Sequence, residues 1–146
     1  MAYSATIDSS ILVALLDHTD VYHKYVLGLD ILNDSGQVIL LDFILQETLT
    51  VLCRRAHQKK NHLLRLRVID AFKQLINGYE VIYIGATSQD YFPEIIAAMK
   101  RQSEFISFHD YWLVFAARDL QISTIVSLDR ALNSIAPRNV RIVPEK

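Results

Sequence analysis

Four acidic residues lie where a predicted strand ends or the following helix begins, and these are the residues best placed to do chemistry. They are Asp8, Glu47, Asp110 and Asp129. In an open parallel α/β sheet, such positions face one crevice outside the carboxyl ends of the strands. Converging carboxylates repel one another and do not stay ionised together without a cation. The pattern therefore predicts a site for Mg²⁺ or Mn²⁺ that acts on phosphate esters.

Each acidic residue also has an ordinary structural explanation. Asp8 and Asp110 are suited to capping helices, Asp129 suits a turn, and Glu47 suits a solvated helix position. A purely structural explanation of all four residues together is weaker, because three of the four follow a strand or its loop at the same edge of the predicted sheet. The neighbours of Glu47 on its predicted helix are mostly apolar. At the level of sequence, the four residues are therefore open to both a functional and a structural interpretation.

The elements that must position these residues alternate between strand and helix along the whole chain. Strands are predicted at 3–7, 38–41, 80–84, 123–127 and 140–143. Helices are predicted at 9–16, 21–33, 43–57, 62–77, 88–101 and 107–120. Ser9 and Ser10 are suited to capping the first helix, and Thr87 with Asp90 resembles a capping box. The alternation implies right-handed crossovers and an α/β fold with a parallel sheet covered on both faces.

Composition indicates an ordinary globular protein. A length of 146 residues predicts a single domain over residues 1–146, and 51% hydrophobic residues suffice for a core. The net charge of -1 gives no general attraction to nucleic acid, so RNA binding needs a local basic patch. Cys53 is the only cysteine, which fits a reducing cytoplasm. Neither a secretory signal nor a membrane span is predicted, so we expect a cytoplasmic protein without membrane contact.

A basic strip between Arg54 and Arg67 provides such a patch, because this segment has six Lys or Arg residues and no acid. Its predicted RNA contacts are Arg54, Arg55, Lys59 and Lys60, since phosphate backbones favour clustered cations. A solvated helix face explains the strip equally well, because the helix dipole favours cations at a C-terminus. Both explanations stay open at the level of sequence.

Four short motifs in a fixed order carry a family resemblance. They are Asp8-Ser9-Ser10-Ile11-Leu12, Gln46-Glu47-Thr48-Leu49, Ser107-Phe108-His109-Asp110 leading into Ala116-Ala117, and Ser127-Leu128-Asp129. With these motifs the chain resembles the PIN-domain ribonucleases, and most closely the small VapC-type toxins of toxin–antitoxin pairs. The resemblance extends over residues 3–143, which is nearly the whole chain.

The resemblance implies a three-layer α/β/α sandwich with a central five-stranded parallel sheet. It also implies that the four acidic residues form a Mg²⁺ or Mn²⁺ site that hydrolyses RNA. Ser127 matches a hydroxyl residue of the family that braces the last acidic position, and Ser9 is taken as a second auxiliary residue. The partners it implies are an RNA substrate, an antitoxin protein and a second copy of the chain.

The sequence also leaves alternatives to a ribonuclease open. Ala131 and Leu132 stand where many relatives carry a further acid and then Phe, which leaves a second metal ion in doubt. A PIN-fold protein-binding module with impaired catalysis is therefore the first alternative. A phosphoaspartyl enzyme with Asp8 as acceptor is disfavoured, because no second acid follows Asp8 closely and no Lys ends a late strand.

His109 precedes Asp110, but its place at a helix start favours a structural or solvated role over acid–base chemistry.

Overall fold

The computed structural model describes residues 4–29 and 37–144, and its centre is a sheet of five parallel strands. The strands are β1 (Ala5–Ile7), β2 (Val38–Leu41), β3 (Glu80–Ile82), β4 (Thr124–Val126) and β5 (Arg141–Val143). Their order in the sheet is β3-β2-β1-β4-β5. The predicted five-stranded parallel sheet is confirmed, with β5 at an edge as expected.

The helices of the described part of the chain are six α-helices and two short 3₁₀ segments. The α-helices are α1 (Ser9–Leu16), α2 (His23–Gly28), α3 (Asp42–Gln58), α4 (His62–Gly78), α5 (Ser88–Arg101) and α6 (Phe108–Asp119). The 3₁₀ segments are Gly85–Thr87 and Arg130–Ser134. Helix α3 packs against α1 and α4, and α5 packs against α6, so two groups of helices flank the sheet.

The central strands are buried over their whole length, which is why they consist of consecutive apolar residues. Every residue of β1 and β2 is buried, and Ala5 pairs with Val38 on one side and Thr124 on the other. The core continues into α6, where Leu113 is completely buried. A smaller cluster between α1, α3 and α4 contains Val13, Leu52, Ala56, Leu64 and Val68. This second cluster fixes α3 and α4 against α1.

Several predicted boundaries and caps differ from the structure. The second helix covers only His23–Gly28 among the described residues, and positions 30–33 of its predicted range lie outside them. The third strand ends at Ile82. The predicted capping box of α5 is wrong, because the Thr87 hydroxyl donates to the carbonyl of Ile84 instead (2.8 Å). No helix in the described ranges is long and apolar enough to cross a membrane.

The cap of α1 decides between the candidates that the sequence offers. Asp8, rather than Ser9 or Ser10, is its N-cap residue, and the Asp8 side chain accepts a hydrogen bond from the backbone N–H of Ser9. Both residue types are good N-caps, so composition alone does not decide between them. The result places a carboxylate directly at the end of β1.

Candidate active site

The carboxyl ends of β1 and β4 form the topological switch point of the sheet. From the central strand β1 the chain continues to β2 on one side, and it returns through β4 on the other side. Ligands of open α/β sheets bind in the crevice at such a point. Asp8 directly follows β1, and Asp129 lies three residues after the end of β4. The strand order thus brings the first and last predicted acidic residues to one edge.

Asp8 is almost completely buried, with 5% of its surface exposed. Its Oδ1 accepts a hydrogen bond from the N–H of Ser9 (2.7 Å), and its Oδ2 accepts one from the hydroxyl of Ser127 (2.6 Å). Burial raises the pKa of Asp8 to about 6; the two hydrogen bonds oppose this shift, and the charges of Asp110 and Glu47 add to it. A buried carboxylate near two others is disfavoured as an anion and gains from a nearby cation.

Ser127 and Ser10 connect the ends of β4 and β1. Ser127 Oγ, which donates to Asp8, also accepts the backbone N–H of Asp129 (2.9 Å). Ser10 Oγ accepts the N–H of Leu128 (3.0 Å) and lies 3.4 Å from both Ser127 Oγ and Asp8 Oδ2. The two hydroxyls therefore fix the Ser127–Asp129 segment against the start of α1. Ser10 was not among the predicted site residues, although it belongs to the same motif as Asp8.

Asp110 is held by a capping box at the start of α6. Its N–H donates to Ser107 Oγ (3.2 Å), and the N–H of Ser107 donates to Asp110 Oδ2 (3.3 Å). The positive end of the helix dipole favours a carboxylate there. Glu47 lies half-buried in the second turn of α3, and its interaction with Asp8 is through charge alone among the described residues. Asp110 and Glu47 thus both act electrostatically on Asp8.

Asp129 lies beside this group and is oriented by its own turn. Its Oδ1 accepts the N–H of Ala131 (2.9 Å) and caps the segment Arg130–Ser134. Together with Ser9 and Ser10 it lines a cavity of about 320 Å³. The backbone N–H of Asp129 is connected to the Asp8 carboxylate through the hydroxyl of Ser127.

The side chains as they stand do not form a closed metal cage. Within residues 4–29 and 37–144, no three Asp, Glu, His or Cys side chains converge closely enough to enclose an ion. Asp8, Asp110 and Asp129 each cap a helix or turn instead. A carboxylate has about four acceptor positions, so a cap leaves some of them free. Mg²⁺ keeps several waters and binds through one or two carboxylates plus substrate phosphates, so this donor set fits a hydrated hard cation.

Arg55 and Lys59 of the basic strip contact the loop between α1 and α2. Arg55 forms ion pairs with Asp20 and with the buried Asp17, and Lys59 Nζ donates to Thr19 Oγ1. Burial alone would raise the pKa of Asp17, but the hydrogen bonds from Thr19 and the charges of Lys59 and Arg55 lower it below the ordinary value. These two cations hold the loop to α3, a role that the sequence pattern did not predict.

The other two predicted RNA contacts face different cavities. Lys60 lines a cavity of about 280 Å³ at the α3–α4 turn, together with His57, His62 and Arg65. Arg54 lines a groove of about 490 Å³ that reaches Glu47. The basic strip therefore divides among different environments: Arg54 borders Glu47, Arg55 lines the cavity of Asp129, and Lys60 lies at the α3–α4 turn.

Asp42 is a further acidic residue at this edge, and it was not among the residues predicted for the site. It is buried, and its carboxylate accepts the N–H groups of Ile84 and Gly85 (3.0 Å each). The contact holds the loop after β3 against the start of α3. An Asp directly after a buried strand was the available signal, but its loop partners lie about 40 residues away in sequence.

A five-stranded parallel sheet with acidic residues at the carboxyl ends of its strands defines the class of protein, an open α/β domain. The family model described as PIN domain matches residues 5–137. The chain therefore belongs to the PIN-domain family, a family of nucleases. No curated protein matches the chain in sequence.

Solved structures show the same fold. VapC20 from Mycobacterium tuberculosis, described as a sarcin–ricin-loop-cleaving toxin, is 20% identical with a TM-score of 0.70, and the match covers 94% of this chain and 98% of that one. VapBC2 from Rickettsia felis, solved bound to a DNA fragment from its promoter, is 16% identical with a TM-score of 0.63, and covers 95% of this chain and 96% of that one. At these identities the likeness establishes the fold.

Proposed function

We propose that this protein is a Mg²⁺- or Mn²⁺-dependent endoribonuclease and the toxin component of a toxin–antitoxin pair. The observation that carries the proposal is the buried carboxylate of Asp8 at the switch point. Its pKa is raised by burial and further by Asp110 and Glu47. A fold that holds such a group without a basic partner is best explained by a cation that binds there in the working enzyme.

The residues that would hold the cation are Asp8, Asp110 and Asp129, with Glu47 binding directly or orienting water. A bound divalent ion supplies Lewis-acid chemistry by lowering the pKa of a coordinated water and polarising the scissile phosphate. The hydroxyl of Ser127 orients the Asp8 carboxylate and the backbone before Asp129. The N–H of Ser9 fixes the other oxygen of Asp8. Both auxiliary residues therefore limit rotation of the acidic groups.

RNA is the proposed substrate because it supplies the phosphodiester that such a site hydrolyses, and an antitoxin protein is the proposed partner. The VapC and VapBC proteins of the same fold support the second part. We also infer a homodimer through the exposed apolar residues of α5. These are Phe92, Ile96 and Met99, exposed by 46%, 47% and 40%. An apolar row of this kind on a monomer surface indicates a protein contact.

The alternative is a PIN-fold protein-binding module that has lost its activity. Ala131 favours it, because this position has no carboxylate. The backbone N–H of Ala131 donates to Asp129 Oδ1, a contact that any residue other than proline allows at this position. The number of ions bound is therefore the property that Ala131 affects first.

Cleavage of a generic single-stranded RNA tests the proposed function. We expect Mg²⁺- or Mn²⁺-dependent cleavage that EDTA abolishes, and a loss of about 100-fold or more in Asp8→Asn and Asp129→Asn, because each removes a charged ligand. Asp70→Asn on the exposed face of α4 is the matched control and retains full activity. Wild-type rates in both site variants, at equal folded fractions, would contradict the proposal. The impaired-module alternative predicts no metal-dependent cleavage at all.

A further inference from the structure

The groove of about 490 Å³ beside Glu47 has a composition that the proposed hydrolysis does not require. It lies between α3, the start of α6 and the loop before α5. Its lining includes Phe43, Gln46, Thr50, Arg54, His109 and Trp112. Aromatic rings, side-chain amides and hydroxyls, and a cation are the groups that bind a nucleotide in a single strand.

The base of the groove is a rigid aromatic stack. Phe43 and Trp112 are parallel within 6°, with ring centroids 4.0 Å apart, and both are almost completely buried. The His109 ring lies 5.8 Å from Phe43 and 6.2 Å from Trp112, and it is exposed. The buried pair therefore supports one exposed ring, and a planar ligand has a fixed surface on which to stack.

Polar and charged groups are arranged along α3 beside this ring. Gln46 and Thr50 are exposed and lie one turn apart, so they are neighbours on the groove side of the helix. Arg54 follows seven residues after Glu47, which places it on the same side and about 10 Å further along the helix. In the described part of the chain, Arg54 forms no ion pair, whereas Arg55 is paired with Asp17 and Asp20.

We propose that this groove is a base-binding subsite for a nucleotide next to the scissile phosphate of a single-stranded RNA. His109 stacks on the base, Gln46 and Thr50 hydrogen-bond to its edge, and Arg54 binds the following phosphate. The amide of Gln46 both donates and accepts, so it discriminates among base edges. The inference rests on the proposed function, because it takes the acidic crevice as the place of cleavage.

Trp112 makes the groove directly observable, because it is the only tryptophan of the chain. Wild-type protein in EDTA, which withholds the divalent cation that cleavage requires, is titrated with 2′-O-methylated homopolymeric tetranucleotides of the four bases. We expect a saturable change in tryptophan fluorescence. Arg54→Ala and His109→Ala should each weaken binding about tenfold, because one phosphate contact and one stacked base are lost. Gln46→Ala should reduce the differences among the four bases.

The salt dependence separates the two contacts. Arg54→Ala should reduce the slope of log affinity against log salt by about 0.7, while His109→Ala leaves the slope unchanged. Arg67→Ala is the matched control, because Arg67 is an exposed arginine of the same strip outside the groove. Fluorescence polarisation of labelled oligonucleotides measures binding independently of Trp112.

Three outcomes would overturn the subsite. Binding by polarisation without a change in Trp112 fluorescence places the RNA elsewhere. Equal weakening by Arg54→Ala and Arg67→Ala indicates non-specific attraction. Absence of oligonucleotide binding by both readouts removes RNA as the occupant and leaves a protein segment. All three can occur while EDTA-sensitive cleavage persists, so the subsite and the proposed function fail separately.

Discussion

At the scale of single residues, the buried carboxylate of Asp8 lowers the stability of the folded protein at neutral pH. Its carboxylate is buried with three hydrogen bonds but without a basic partner among the described residues. The buried Asp17 contrasts with Asp8, because it is paired with Arg55 and its pKa is lowered. The same side chain type thus serves as a stabilised structural anchor at one position and as a destabilised acid at the other.

Asp8→Asn should therefore stabilise the metal-free protein at pH 7.5. The folded-state pKa of Asp8 is about 6 and its ordinary value is 3.8. Because the shift is upward, Asp8 favours folding most below pH 4, and this contribution is lost as the pH rises to about 6 and beyond. Asn removes the penalty, so we expect a gain of about 1–3 kcal/mol in unfolding free energy at pH 7.5, and little gain at pH 4. Urea unfolding in EDTA at both pH values measures it.

One further result would support this prediction, and another would contradict it. Mn²⁺ should stabilise the wild type more than Asp8→Asn, because a ligand that binds only the folded state stabilises it. A variant that is less stable than wild type at pH 7.5 by the same amount as at pH 4 would show that Asp8 contributes by hydrogen bonding alone.

At the scale of elements, the loop after β3 is attached to α3 through one buried carboxylate. Asp42 accepts two backbone N–H groups of this loop, and no side chain is present at Gly85 to interfere. A Cβ on Gly85 would lie 2.8 Å from Asp42 Oδ2, which is closer than real contacts allow. Gly85 is needed here for this close approach, and its φ is not positive.

Gly85→Ala should lower the unfolding free energy by about 1–3 kcal/mol, because it displaces a buried acceptor from its two donors. Gly28→Ala is the control, since nothing lies within 4 Å of a Cβ there, and its effect should be neutral or slightly stabilising. Thermal unfolding followed by circular dichroism compares the two variants. Equal stability of both would mean that Asp42 is free to rotate away from the loop.

At the scale of the whole molecule, several apolar side chains of the described residues are exposed, and α4 and α5 each carry a group of them. On α5, Phe92, Ile96 and Met99 recur at helical spacing and form one row. On α4, Leu63 and Leu66 are exposed by 65% and 44% but alternate with Arg65 and Arg67. The uninterrupted row on α5 is the better surface for an apolar contact between two copies of the chain.

Ile96→Glu should convert the proposed dimer into a monomer, because it places a charge in the middle of the apolar row. Analytical ultracentrifugation measures the shift in mass, and circular dichroism checks that the variant is folded. Leu63→Glu on α4 is the matched control and should leave the dimer intact. If Leu63→Glu dissociates the protein and Ile96→Glu does not, the contact between copies is formed by α4.

The sequence by itself determined the order of strands and helices and the placement of the acidic residues at their ends. Both follow from local properties, namely hydrophobic periodicity, β-branched runs and the preference of Asp for caps. The failed capping box at Thr87 shows the limit of such rules. Its hydroxyl had a competing acceptor in the carbonyl of Ile84, and the residue type does not reveal which one it takes.

Only the tertiary structure decided which distant groups meet. Strand order places Asp8 beside Ser127, which lies 119 positions away in sequence, because pairing between strands is a long-range choice. The docking of α3 turned Arg55 toward Asp20 and Arg54 toward the groove, although the two arginines are adjacent in sequence. Successive residues of a helix point about 100° apart. The partner that each residue contacts therefore depends on which face of the helix is packed, and the sequence does not specify that face.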